Sequence, residues 1–172
     1  MNQQKVRIAL FIFSWAILTQ SIALTEDKTL PITLNASIVD VSQKKGIGIY
    51  QGGVALDQGS SHLRADHAKT FFTEKNKLKR AIAYGILNKQ AHCWTLPAKD
   101  KPILHAYADK ISYFPETQYI VLSGHAKIIQ GEDRFTAPII RYNIAEQRIT
   151  TKQTAEGRTT LTFHSPPKRA RK

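Results

Sequence analysis

The sequence predicts an all-β chain of antiparallel strands, elongated and doubled end to end. Apolar and polar residues alternate at period two almost without pause from Leu30 onward. The stretch Y-Q-G-G-V-A-L-D-Q-G-S-S-H-L-R-A-D-H-A-K-T (Tyr50 to Thr70) recurs without a gap, 72 positions later, as L-S-G-H-A-K-I-I-Q-G-E-D-R-F-T-A-P-I-I-R-Y (Leu122 to Tyr142). No stretch carries helical periodicity of useful length, and the β-branched content agrees.

The duplication rests on eight identities along one diagonal. Gly52 falls on Gly124, Gln58-Gly59 on Gln130-Gly131, Ala65 on Ala137, Ala36 on Ala108, Glu74 on Glu146, Ala83 on Ala155 and Gly85 on Gly157. Apolar positions follow the same shift: Leu56 on Ile128, Leu63 on Phe135 and Ala68 on Ile140. A weaker repeat lies inside each copy, opened by an alanine and closed by a glycine: Ala36 to Gly52, Ala65 to Gly85, Ala108 to Gly124, Ala137 to Gly157. Its period of roughly 30 residues is that of a repeat architecture.

Residues 1–23 read as a secretory signal peptide. Lys5 and Arg7 precede the apolar run Ile8 to Leu18, and Ser21 and Ala23 have the spacing a signal peptidase reads, with cleavage after Ala23. The rival is a retained anchor, but eleven helical residues span about 16 Å against a hydrocarbon core of about 30 Å. Residues 24–164 form the β domain, and residues 165–172, S-P-P-K-R-A-R-K, form a basic tail whose prolines and charges favour disorder. Without the leader the chain carries 23 basic against 13 acidic side chains. Outside the cytoplasm the anionic partners for such a surface are lipid phosphates, polysaccharides and membranes. Cys93 is the one cysteine, so no intramolecular disulfide staples the fold.

Taken in order, Leu30 to Ile38 predicts a strand with Ile32, Leu34, Ala36 and Ile38 on one face. Ser42 to Gly46 is a turn, Ile47 and Ile49 resume, and Gly52-Gly53 permits a bulge. Val54 to Gln58, Leu63 to Ala68 and Leu78 to Leu87 follow, the last broken by Gly85. Pro97 to Pro102 joins the copies, and the second copy predicts strands over Ile103 to Phe114, Tyr119 to Gln130, Phe135 to Asn143, Gln147 to Ala155 and Thr159 to Phe163. Antiparallel strands apolar on one face enclose a core between two sheet surfaces, which sandwich, barrel and jelly roll all satisfy. The terminal edges, around Ile32 to Ile38 and Thr159 to Phe163, carry few blocking charges and invite strand addition.

Catalytic signatures are absent: no G-x-S-x-G, H-E-x-x-H, phosphate-binding loop or dinucleotide fingerprint. His62 and His67 differ by an odd number and are expected on opposite faces of a strand, as are His92 and Cys93. The residues therefore argue against an enzyme, a cofactor and a metal site. A charge-driven polysaccharide- or nucleic-acid-binding module would interleave aromatics with basic residues; here the aromatics occupy alternation positions, as core residues do. A glycan-cleaving enzyme lacks its carboxylate pair.

The succession P-I-T-L-N-A-S, Y-Q-G-G-V-A-L-D-Q-G, L-R-A-D-H-A, A-Y-G, A-D-K-I-S-Y, L-S-G-H-A-K-I-I-Q-G and A-E-G-R resembles the OstA-like (LptA-type) family of lipopolysaccharide export proteins. The resemblance runs from about Leu30 to Pro166. It implies a slightly twisted, elongated antiparallel β-jellyroll open at both ends, and a periplasmic bridge carrying lipopolysaccharide. Implied partners are an LptC-like inner-membrane component and an LptD-like outer-membrane translocon, met through the terminal strands, with head-to-tail self-association and no nucleic acid. The short leader and the lack of a following barrel favour this type over the related LptC, which keeps its anchor, and the LptD N-terminal domain. Alternation nominates Ile32, Leu34, Ala36, Ile38, Leu56, Leu63, Ile111, Tyr113, Leu122 and Ile128 as the interior, lipid-facing surface.

Overall fold

The computed structural model describes residues 30–146, 148–152 and 158–163; the expected signal peptide and basic tail lie outside them. The first copy comprises β1 (Thr33–Asn35), β2 (Ile38–Ser42), β3 (Ile47–Gln58), β4 (Ser61–Phe72), β5 (Leu78–Tyr84) and β6 (Ala91–Thr95). The second comprises β7 (Leu104–Ala108), β8 (Lys110–Phe114), β9 (Tyr119–Gln130), β10 (Asp133–Asn143), β11 (Arg148–Lys152) and β12 (Thr160–Thr162). Strands β8, β9 and β10 begin 72 residues after β2, β3 and β4, so the duplicated sequence is a duplicated structure.

Every pairing is antiparallel, and the four long strands each serve two layers. The N-terminal half of β3 pairs with β2 and its C-terminal half with β1. In β4 the C-terminal half pairs with β5 and the N-terminal half with β6. β9 and β10 divide in the same way between β8 and β7, and between β11 and β12. The first layer is thus β2, β3, β4, β5, β8, β9, β10, β11, and the second β1, β3, β4, β6, β7, β9, β10, β12. The pairs β5–β8 and β6–β7 join the copies through continuous ladders. The result is an antiparallel β-jellyroll whose layers end on β1 and β2 at one side and β11 and β12 at the other.

The layers meet along a seam of bulges. Pairing steps over Gly52 and Gly53 opposite Asp66, and over Gly124 and His125 opposite Pro138. Gly52 and Gly124 both stand at φ +78°, a conformation a side chain resists. Pro138 is tolerated because a bulge position owes no N–H to the ladder. Beside the bulges runs a row of small residues: Val54 opposite Ala65, Ala91 opposite Ala108, Ala126 opposite Ala137. Ala91 and Ala108 are fully buried. This convergence explains the alanine-to-glycine repeat, because larger side chains would hold the layers apart.

Two expected strands are broken at this seam. Leu30–Ile38 divides at Ala36-Ser37, where the Ser37 hydroxyl donates to the Gly52 carbonyl at 2.7 Å, and Ile103–Phe114 divides at Asp109, whose N–H donates to the Gly124 carbonyl at 3.0 Å. The chain changes layer there, so the alternation restarts out of phase. Ile38 consequently points outward beside Gln51 and is 59% exposed. Its expected interior place is taken by Val39 and Val41, which lie opposite Tyr50 and Gly48.

Candidate functional site

Between the layers, inward side chains line up in lanes that cross the whole molecule. In the second layer one lane reads Leu34, Leu56, Leu63, Cys93, Ala106, Ile128, Phe135, Leu161, each opposite the next. The facing lane of the first layer reads Val39, Tyr50, Ala68, Ala83, Ile111, Leu122, Ile140, Thr151. Neither contains a charged residue. The two lanes pack into a core in which Leu122 and Ile140 are essentially inaccessible.

Polarity rises away from the seam. The next lane of the first layer carries Thr70, Tyr113 and Tyr142, and burial raises the pKa of both of those tyrosines. The corresponding lane of the second layer carries Gln58, Ser61, Thr95 and Gln130, with Ser61 and Thr95 hydroxyls 3.0 Å apart. Gln58 and Gln130 donate to the carbonyls of Leu30 and Pro102, another pair of contacts related by the duplication. The interior is therefore dry at the seam and hydroxylated at the mouth. At the β1 end it holds an apolar-walled cleft of about 80 Å³ between Leu34, Tyr50, Leu63, Ile111 and Tyr113.

Of the nominated residues, Leu34, Leu56, Leu63, Ile111, Tyr113, Leu122 and Ile128 occupy these lanes. Ala36 packs at the seam against Tyr50, Val54 and Ala68. Ile32 precedes β1 and is 60% exposed, outside the core. Ile38 lies on the outer surface. Sequence reasoning missed Val39, Val41, Ile120 and Phe135, and the duplication could have found the first two. Moving Ile111 and Tyr113 back by 72 residues lands on Val39 and Val41, whereas Ile38 corresponds to Lys110.

A family model described as "LptA/(LptD N-terminal domain) LPS transport protein" matches residues 33–148, from the first residue of β1 to the first of β11. The chain belongs to this family. It is 29% identical over 129 residues to the lipopolysaccharide export system protein LptH of Pseudomonas aeruginosa, covering 75% of this chain and 72% of that one. The crystal structure of LptH, described as the LptA homologous periplasmic component of the conserved lipopolysaccharide transport device from Pseudomonas aeruginosa, matches with a TM-score of 0.71 and 25% identity. That match covers 81% of this chain and 99% of the other. The family match thus takes in the first copy and the second as far as the start of β11.

Outside the lanes, the histidines of this LptA-type chain depart from expectation. His62 and His67 both point outward, one on each layer, because β4 changes layer at Asp66, opposite the β3 bulge, and its alternation restarts there. The outer face of the second layer also carries aromatics that alternation placed in the core. His62 stacks on Trp94 at 4.9 Å, Trp94 on His92 at 4.6 Å and His92 on Tyr107 at 4.1 Å, while Arg64 and Lys127 cap Trp94 and Tyr107. Hydrogen bonds from His62 and then Arg64 hold the Asp57 carboxyl below its ordinary range. Cys93 faces inward, opposite His92 as expected, and burial pushes its thiol up to about 12, so it is neither thiolate nor nucleophile at neutral pH.

The His92 Nε2 lies 3.1 Å from the His105 Nδ1, an arrangement that requires one ring to be neutral. Desolvation, then the charges of His105, Arg64 and Lys127, lower the His92 pKa from 6.5 to about 4. The unfolded chain therefore takes up this proton first, and the stack's contribution is complete above pH ~6.5 and lost as pH falls toward ~4. With solvent screening allowed for, the loss is roughly 1 kcal/mol. Urea midpoints measured from pH 7 to pH 4 are expected to fall more steeply for the native sequence than for His92→Phe. Parallel slopes would refute the assignment.

Proposed function

We propose that this protein is a periplasmic lipopolysaccharide-transport component that shields acyl chains in its interior lanes. The observation that carries the reading is the continuity of those lanes from Leu34 and Val39 at one end to Leu161 and Thr151 at the other. Each methylene removed from water contributes ~0.8 kcal/mol, so a twelve-carbon chain in water costs roughly 9 kcal/mol and needs an unbroken dry path. The hydroxylated mouth suits the sugar end of the same amphiphile. A cleft of about 80 Å³ is far below the roughly 300–1,000 Å³ of a ligand pocket, so chains enter as the layers part from the mouth while the seam holds.

The ends suit continuation into other chains. Val39 and Val41 are 55% and 48% exposed on the β2 edge, and Leu161 and Phe163 are 50% and 66% exposed at the other end. Strand addition there would extend the lanes into an LptC-like inner-membrane component, an LptD-like translocon or a second copy of this chain.

The test places a photo-crosslinking amino acid in cells at Leu63, Tyr113 or Val41, with Ile38 and Lys44 as outward controls. Lipopolysaccharide adducts at Leu63 and Tyr113 but not at the controls are expected, together with protein adducts at Val41. Equal adducts at inward and outward positions would exclude the interior path, and protein adducts absent at Val41 would exclude edge pairing there.

A further inference from the structure

The outer face of the first layer carries a second concavity, separated from the lanes by the sheet itself. From β5 to β11 that face forms a groove of about 720 Å³. Its floor is the cross-strand row Ile82, Ser112 and Val121. Ile82 and Ser112 are only 8% and 7% exposed although they lie on the outward face, so the surrounding side chains rise well above them. Each floor residue lies between inward neighbours (Ser112 between Ile111 and Tyr113), so the groove opens on the side of the sheet away from the lanes.

Four cations border the groove, Arg80, Lys110, Arg141 and Arg148, and among the described residues no carboxylate lines it. Arg148 meets Glu146 at 3.4 Å. Among the described residues Arg80, Lys110 and Arg141 have no carboxylate within 4.0 Å. The Arg80 guanidinium is held over the Phe71 ring at 4.4 Å, which fixes it without neutralising it. Tyr84 and Tyr119 supply aromatic walls, and Ser123 and Thr150 add hydroxyls beside the cations.

We propose that this groove is a binding site for a phosphorylated saccharide. Several cations with no lining acid select a ligand of more than one negative charge, and guanidinium groups pair with phosphate oxygens in two-pronged geometry. The volume lies within the range of small-molecule sites, about 300–1,000 Å³. A bare phosphate would leave Val121 and the tyrosines uncovered. The C–H face of a sugar ring covers Val121, while its hydroxyls meet Ser123 and Thr150. The site stands independently of the acyl-chain path, because it lies on the opposite surface.

The experiment titrates the exported protein, by calorimetry at low salt, with a glucosamine disaccharide carrying two phosphates and no acyl chains. Its dephosphorylated form and inorganic phosphate serve as comparators. Saturable binding of the bisphosphate is expected, with both comparators at least about tenfold weaker. Lys110→Gln and Arg141→Gln, both at exposed positions, are each expected to weaken it about tenfold without moving the thermal midpoint. No saturable binding, binding unchanged in the double variant, or inorganic phosphate binding as well as the disaccharide would each overturn the proposal. A second arm offers the same headgroup on phosphatidylcholine vesicles. Preference for the vesicle form identifies a membrane-borne ligand, equal affinity a soluble one, and either supports the site. Because the probe has no acyl chain, its failure is distinct from a failure of crosslinking at Leu63 and Tyr113.

Discussion

Leu122→Ala is expected to lower the unfolding free energy by about 2–5 kcal/mol, the range for emptying a buried leucine site. Leu122 is 1% exposed, opposite Ile111 on one side and Ile140 on the other. All three belong to strands pinned on both edges by ladders, so the space left by the side chain cannot close. Equilibrium urea denaturation reads the effect as a lower midpoint at unchanged slope. The same change at Leu34, partly exposed on the edge strand β1, should cost less than half as much. A loss at Leu122 below about 1 kcal/mol would mean that the layers are not packed against each other at mid-lane. Such a result would also weaken the transport reading, which needs a closed seam beneath a mouth that opens.

Gly124→Val is expected to be comparably severe, at roughly 2–4 kcal/mol, combining left-handed backbone strain at a β-branched residue with a steric collision. At φ +78° an added Cβ would sit 2.9 Å from the Asp109 Cβ and closer still to its carboxylate. The duplication supplies a matched case in Gly52, also at φ +78°, where the added Cβ would meet the Ser37 Cβ at 2.6 Å. Gly53 supplies the contrast: its φ is +81° but nothing lies within 4 Å. Gly53→Ala should therefore show the backbone cost alone, about 1 kcal/mol. His125 already stands at the position equivalent to Gly53, with φ +46° and its Nδ1 2.8 Å from an Asp109 carboxylate oxygen. Midpoints that fall equally at Gly53 and Gly124 would remove the steric part of the account.

Much of this architecture was legible because the chain was written twice. The 72-residue shift aligns β9 with β3 residue for residue, and alternation alone delimits Tyr119 to Gln130 to the residue. Alternation placed Leu56, Leu63, Ile111, Leu122 and Ile128 inward because each lies within an uninterrupted half-strand. It failed at Ile38 and at His67 for one physical reason. A bulge or a change of layer shifts the period by one residue, and the contacts responsible, Ser37 to Gly52 and the skip opposite Asp66, join positions distant in sequence. The outer features were less legible still. Alternation tells which residues share a face but not which face is covered, and Trp94, Tyr107 and Ile82 are large or apolar on surfaces that no other layer covers. The cationic groove gathers Arg80, Lys110, Arg141 and Arg148 from four strands of both copies, a convergence that no local pattern encodes.

The doubled unit also acts as a ruler. Each copy contributes four strands to each layer, and it joins the next through the same antiparallel hydrogen bonds that hold it together. At about 4.8 Å per strand, one copy advances the path by roughly 19 Å. Reach is therefore quantised within the chain: the second copy extends the first by one whole unit, with lanes, seam and glycines kept in phase. A deletion of an odd number of residues inside a half-strand would turn the rest of that half-strand to the opposite face.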